Sequence, residues 1–206
     1  MKHFICFLMF CLSCLSFGAP AMDNASGNLI KDGSFTGLEI SKNWKHGGLI
    51  HDPSDMKKFY NEISSMLIRQ IDKTQFYSSP ASLKIDSSPE IRTVRNDKGA
   101  AMSISSYIEQ FVDVMPGKYE FSMALRGTKP STGFNAVRVF VHFQGKNFYK
   151  PNAVTFMPGL KNDWTVFKGS FEVPENVKKI GIRITYYGCG ELNYDDISLR
   201  KAAAGE

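Results

Sequence analysis

Beyond residue 80 the chain is written largely in alternation. The runs 81–86 (ASLKID), 106–114 (SYIEQFVDV), 118–126 (KYEFSMALR), 136–143 (AVRVFVHF), 164–173 (WTVFKGSFEV), 178–187 (KKIGIRITYY) and 194–200 (YDDISLR) set apolar residues at every second position. Turn formers separate them: Ser-Ser-Pro, Pro116-Gly117, Thr-Lys-Pro-Ser-Thr-Gly, Pro-Gly-Leu-Lys-Asn-Asp and Val-Pro-Glu-Asn. Side chains on a strand point alternately to opposite faces, so one apolar face per strand implies one buried side. Strands of this kind, repeated at short spacing, predict an antiparallel sandwich of two sheets around a single core layer. Each strand then keeps an outward face, free for other work.

Between 55 and 67 the period changes. Met56, Phe59, Tyr60, Ile63, Met66 and Leu67 recur at helical spacing, with Ser54 or Asp55 as N-cap, which predicts one short helix in an insertion. The first residues have a different purpose. Lys2 and His3 precede an apolar run from Phe4 to Leu15, and Ala19-Pro20-Ala21 closes it. That order is a secretory signal, with the mature chain expected to start at Met22 and to be secreted or periplasmic. The run is too short for a membrane span. Cys6, Cys11 and Cys14 lie in the leader, so Cys189 alone remains and no internal disulfide is expected. Asn24-Ala25-Ser26 is the one sequon. The 206 residues are 43% hydrophobic, enough for a real core, and the net charge of +5 is too weak to point to nucleic acid.

The motifs have a familiar order. The opening NLIKDGSF (28–35) with Trp44, then SPASLKI (79–85), IEQFVDVMPGKYEFSMALRG (108–127), DWTVFKGSFEVP (163–174) and YDDISL (194–199) resemble the landmarks of carbohydrate-binding modules of the family 4/9 type. The resemblance spans Asn28 to Leu199. It implies an all-β, galactose-binding-like jelly roll that binds glycans without catalysis. It also implies a structural calcium, with Asp196 as a ligand and further oxygens from Asp32 to Phe35 and from carbonyls near Ser79. The chain departs from the family at Thr36, where a glutamate ligand is common. The expected organisation is a signal at 1–21, a linker at 22–27, the sandwich at 28–200 and a tail at 201–206.

Parity nominates the surface. If Tyr119, Phe121, Met123 and Leu125 are core, Arg126 faces out; if Val137, Val139, Val141 and Phe143 are core, Arg138, Phe140 and His142 face out; if Ile180, Ile182, Ile184 and Tyr186 are core, Arg183 and Tyr187 face out. Strands at these positions form a sugar-binding sheet in the modules the chain resembles. The six residues Arg126, Arg138, Phe140, His142, Arg183 and Tyr187 are therefore the expected ligand-binding set. Rings suit the C–H faces of sugars, and the planar donors of arginine suit carboxylate or sulfate, which favours an acidic polysaccharide. Tyr77, Tyr107, Phe148 and Tyr149 are further aromatic candidates, while Trp44 and Trp164 read as structural. No catalytic constellation stands out: Glu109, Glu120, Glu191, Asp195 and Asp196 show no pairing in sequence, and His46 and His51 lack partners for zinc. Alternative readings are a structural or adhesive envelope protein of the same fold, or a small jelly-roll lyase or glycoside hydrolase.

Overall fold

Two antiparallel sheets carry out the alternation. The computed structural model describes residues 27–203 except 38, 51–65, 79, 89–98, 100–103, 129–135 and 147. The leader expected at 1–21 lies outside the described residues, as does the helix expected at 55–67 up to residue 65. A 3-10 turn, Ile40–Lys42, precedes the strands β1 (Lys45–Ile50), β2 (Leu67–Asp72), β3 (Ser82–Ser87), β4 (Ile104–Asp113) and β5 (Gly117–Gly127). They continue as β6 (Ala136–Gly145), β7 (Phe148–Phe156), β8 (Thr165–Val173), β9 (Lys179–Tyr187) and β10 (Gly190–Lys201). One sheet has the order β1-β4-β9-β6-β7 and the other β2-β3-β10-β5-β8. This is the all-β sandwich that the alternation implies, and the jelly roll that the resemblance implies.

Parity is met in the core. Tyr119, Phe121, Met123 and Leu125 of β5 are buried, as are Val137, Val139 and Val141 of β6 and Ile180, Ile182 and Ile184 of β9. Fully burying each such side chain is worth about 1.5–3 kcal/mol, so the shared parity of the strands is strongly specified. Three strands carry weaker signals. β1 contains Gly47 and Gly48, and β7 contains Pro151, which its position at a sheet edge tolerates. β2 begins at Leu67, the last residue of the expected helix; Leu67 is buried, and register pairing of β2 with β3 takes this residue into a strand.

The segment before β1 is tied to the sandwich at several points. The Gln110 carboxamide accepts from the Lys31 N–H at 2.8 Å and donates to the carbonyls of Lys31 and Asn43, both at 3.0 Å. Trp44 Nε1 donates to the Asp32 carbonyl at 3.2 Å, and its ring stacks on Phe35 at 5.9 Å. Both rings are buried, in agreement with a structural role for Trp44. The Ile197 N–H donates to the Gly33 carbonyl at 3.0 Å.

That last contact leaves no room for a side chain, because a Cβ on Gly33 would sit 2.0 Å from the backbone oxygen of Ile197. Gly33→Ala is expected to destabilise the fold by about 3 kcal/mol, the upper end of overpacking costs. Urea denaturation measures this; an unchanged midpoint would mean that the N-terminal segment is not docked on β10.

Candidate functional site

Cross-strand register assembles a polar and aromatic surface on the outer face of the β1-β4-β9-β6-β7 sheet. One row across it runs Lys45, Glu109, Arg183, Phe140, Thr155. The next row runs Gly47, Tyr107, Thr185, Arg138, and on the other side lie Phe111, Gly181 and His142. Five of the six residues nominated by parity, Arg138, Phe140, His142, Arg183 and Tyr187, thus share one face. Arg126 does not join them. It is on β5, in the other sheet, where it faces outward on the opposite side of the molecule and its Nη1 donates to Gln75 Oε1. Parity places a side chain on a face of its own strand, but it cannot say which sheet that strand enters.

The charges on this face are partly matched. Arg183 Nε and Nη2 both bond Glu109 Oε1, at 3.1 and 3.0 Å, and the guanidinium lies over the Tyr107 ring at 4.9 Å. Glu109 is itself buried. Two further cations rest on rings: Arg138 over Tyr187 at 5.2 Å and Lys45 over Phe111 at 5.5 Å. Such contacts hold a cation in place without cancelling its charge. With Glu109 matched by Arg183, Arg138 and Lys45 give the central rows a positive character.

His142 is turned outward by parity yet is only 2% exposed. Its Nδ1 accepts the Asn152 N–H at 3.0 Å, where β7 bulges against β6 and Asn152 takes φ 52°. The ring lies between Phe140 and Tyr149, with centroids at 6.5 and 6.3 Å. Burial lowers the imidazole pKa, Arg183 lowers it further, and Glu109 acts in the opposite sense. The neutral ring, with its proton on Nε2, satisfies these contacts and aims that N–H toward Glu109 Oε1, 3.6 Å away. That separation is beyond hydrogen-bonding range.

Four buried atoms on this face have no hydrogen-bond partner among the described residues: Ser105 Oγ, Arg138 Nε, His142 Nε2 and Thr185 Oγ1. Parity within their strands also turns Thr185 and Glu109 outward, and Tyr107 is one of the aromatic candidates; register sets the three together, and Ser105 joins them through register.

Asp196 occupies a different corner, on β10. β10 carries one extra residue against β5 between Asp195 and Ser198, and Asp196 takes φ 47° there. Its Oδ1 accepts from the hydroxyls of Ser34, at 2.9 Å, and Ser78. The neighbouring Asp195 is committed elsewhere: Oδ2 accepts the N–H groups of Tyr77 and Ser78, at 2.8 and 3.1 Å, and Oδ1 accepts the Asp196 N–H at 2.7 Å. Burial raises the Asp195 pKa to about 6, against the pull of these donors. Thr36, at the position of the family glutamate, donates to Asp32 Oδ1 at 3.2 Å. Ser34 thus brings the opening segment to Asp196, where the described side chains offer one carboxylate and two hydroxyls; the rest of the six to eight oxygens that calcium takes would have to come from backbone carbonyls. Ser79 lies outside the described residues. Nor do three or more His, Cys, Asp or Glu side chains gather for any metal among those described.

No family model and no curated protein matches the sequence. Solved structures do match. A family 16 carbohydrate-binding module has a TM-score of 0.51 and 16% identity, with 84% of this chain and all of that one covered (100%). TmCBM61 in complex with β-1,4-galactotriose has 0.52 and 15%, with 86% and 100% covered. The enzymatically active domain of tailspike protein 4 from bacteriophage CBA120 has 0.55 and 11%, with 84% of this chain matching 21% of that one. At these identities the likeness is one of fold, and the fold is that of the jelly-roll carbohydrate-binding modules.

The buried imidazole gives a pH test. A free imidazole titrates near 6.5 and the folded one lower. The stability His142 contributes is therefore complete above about pH 6.5 and is lost as pH falls through the lower folded value. His142→Gln keeps an acceptor for the Asn152 N–H and does not titrate. The gap in melting temperature between wild type and variant should narrow between about pH 7.5 and about pH 5. A constant gap would contradict a buried neutral ring.

Proposed function

We propose that this chain is a secreted, non-catalytic carbohydrate-binding protein of the family 4/9 type, which takes an acidic polysaccharide across the outer face of the β1-β4-β9-β6-β7 sheet. The observation that carries the reading is the set of partly exposed rings and cations that share one outer face, Tyr107, Phe140 and Tyr187 with Arg138 and Arg183. Sugars bring oxygens that accept from such cations, and C–H faces that rest on rings. Arg138 gives the acidic preference: no carboxylate pairs with it among the described residues, while the charge of Arg183 is matched by Glu109. The fold supports the reading, since modules of known structure with this architecture include one holding a galactotriose. The Lys2-to-Ala21 leader supports export.

His142, Glu109 and Arg183 also form a grouping on this face with acid–base character, which keeps a lyase or hydrolase as the competing reading. Binding without turnover separates the two.

Titration calorimetry against polygalacturonate and a neutral glycan of equal length tests the proposal. Arg138→Ala should weaken the acidic ligand about tenfold or more, the loss of roughly 1.4 kcal/mol or more from a charged hydrogen bond, and should leave a neutral ligand nearly unchanged. Tyr187→Ala should weaken the acidic ligand while the melting temperature holds. Added salt should reduce acidic affinity, since exposed charges are screened over about 8 Å at physiological ionic strength. No binding to polygalacturonate or to a sulfated glycan, or release of unsaturated product, would overturn the proposal.

The leader has its own check. Mass spectrometry of exported protein should give a chain that starts at Met22, and a retained leader or a lipid on Cys14 would refute the export reading.

A further inference from the structure

The opposite side of the sandwich has a concave feature that the proposed function does not use. A trough of about 760 Å³ lies over β10, β5 and β8, on the outer face of their sheet. We propose that it is a second sugar site and that its occupant is an uncharged polysaccharide chain.

The floor is low because small residues meet there. Ser122 of β5 pairs in register with Ser198 of β10 and Lys168 of β8, and Ala124 pairs with Asp195 and Val166. An exposed strand face ordinarily favours β-branched and aromatic residues, whose bulk would fill this space. The Ser122 and Ser198 hydroxyls lie 2.8 Å apart, so each retains capacity for a ligand hydroxyl. The volume lies within the usual range of small-ligand sites, roughly 300–1,000 Å³.

One wall is an aromatic platform held in place by the chain around it. The Tyr77 ring is 45% exposed and lies 6.0 Å from Trp164, tilted by 55°. Its backbone N–H is bonded to Asp195 Oδ2, and the adjoining Gln75 receives Arg126. The Asp72 carboxylate caps the same turn through Thr74 and Gln75. A ring ordered before binding costs little to order during it. Arg126, displaced from the first face, thus supports the second, and Trp164 packs at its edge.

The charges choose the occupant. Glu120 and Asp196 line the trough together with Lys168 and Arg200, two acids and two bases. A polyanion would meet carboxylates here. A neutral sugar hydroxyl both donates and accepts, and a lining with both signs answers it. The contrast with the opposite face, where Arg138 and Lys45 remain after Glu109 is matched, separates the two ligand classes.

The test is calorimetric titration of the purified protein with cellohexaose, xylohexaose and mannohexaose, alongside polygalacturonate. At least one hexaose should bind. Ser122→Trp, which fills the trough from its solvent side, should abolish that binding, and Tyr77→Ala should weaken it about tenfold or more, the scale of a lost stacking surface. Neither variant should change polygalacturonate affinity, and Arg138→Ala should leave hexaose affinity unchanged. If none of the hexaoses binds, or if folded Ser122→Trp binds like wild type, the trough is not a sugar site. A hexaose affinity that falls with Arg138→Ala would move the neutral ligand to the first face and overturn the proposal. Should Ser122→Trp fail to fold, Tyr77→Ala decides alone, since its ring is already nearly half in solvent. Failure of the polygalacturonate arm alone would count against the acidic site and leave this one standing.

Discussion

One extra residue in β10 governs how the second sheet closes. Leu192 and Tyr194 point into the core; without the bulge, Asp196 and Ser198 would follow them inward and Ile197 and Leu199 would turn to solvent. The bulge inverts the parity and returns Ile197 and Leu199 to the core, worth about 1.5–3 kcal/mol for each side chain. It requires a left-handed residue, which costs about 1–3 kcal/mol for a non-glycine. Aspartate tolerates that conformation better than most, and here Ser34 and Ser78 hold its carboxylate. The same local break lets the Ile197 N–H reach Gly33 and the Asp195 carboxylate gather the N–H groups of the turn after β2. The N-terminal segment, the β2–β3 turn and the floor of the trough all take their positions from it.

This bulge also explains what could be read from YDDISL. In the sequence the second of its two aspartates, Asp196, suggests a metal ligand by resemblance. In the structure Asp196 is the bulge residue and Asp195 an acceptor for three backbone N–H groups. Both roles need a carboxylate at the same place, so the motif alone cannot tell them apart. The core was legible because alternation is a local property: Tyr119 through Leu125 and Ile180 through Ile184 are buried as their spacing requires. β1 and β7 were obscured by glycines and a proline, and β2 by apolar residues that satisfy helical spacing as well as pairing. Faces were legible within a strand, which is why Arg138, Phe140 and His142 stay together. Sheet membership is a long-range property, and Arg126 was lost to it.

Burial of the outer face of the first sheet comes from its own long side chains as much as from its neighbours. Arg183 spans from Glu109 to the Tyr107 ring, and Arg138 lies on Tyr187, so charged groups cover Thr185 in the row between them. A buried carboxylate such as Glu109 is costly unless paired, and Arg183 supplies the pair with both Nε and Nη2. The bond orders the arginine in advance of any ligand. That order is useful for recognition even though it contributes little net stability, because a long side chain already held in one rotamer loses no further entropy when it is contacted.

The two arginines on that face are therefore unequal despite identical chemistry. Arg183 has its charge balanced at 3.0 Å by Glu109; a ligand carboxylate approaching it would also approach Glu109, and the repulsion would offset the attraction. Arg138 is balanced by no such neighbour among the described residues. Its guanidinium lies over the ring of Tyr187, whose quadrupole orients it without neutralising it. In the proposed site, discrimination between acidic and neutral ligands would depend on the pairing of each arginine more than on their number. Arg183 is held by Glu109 over the Tyr107 ring, which leaves Arg138 as the arginine that would sense ligand charge.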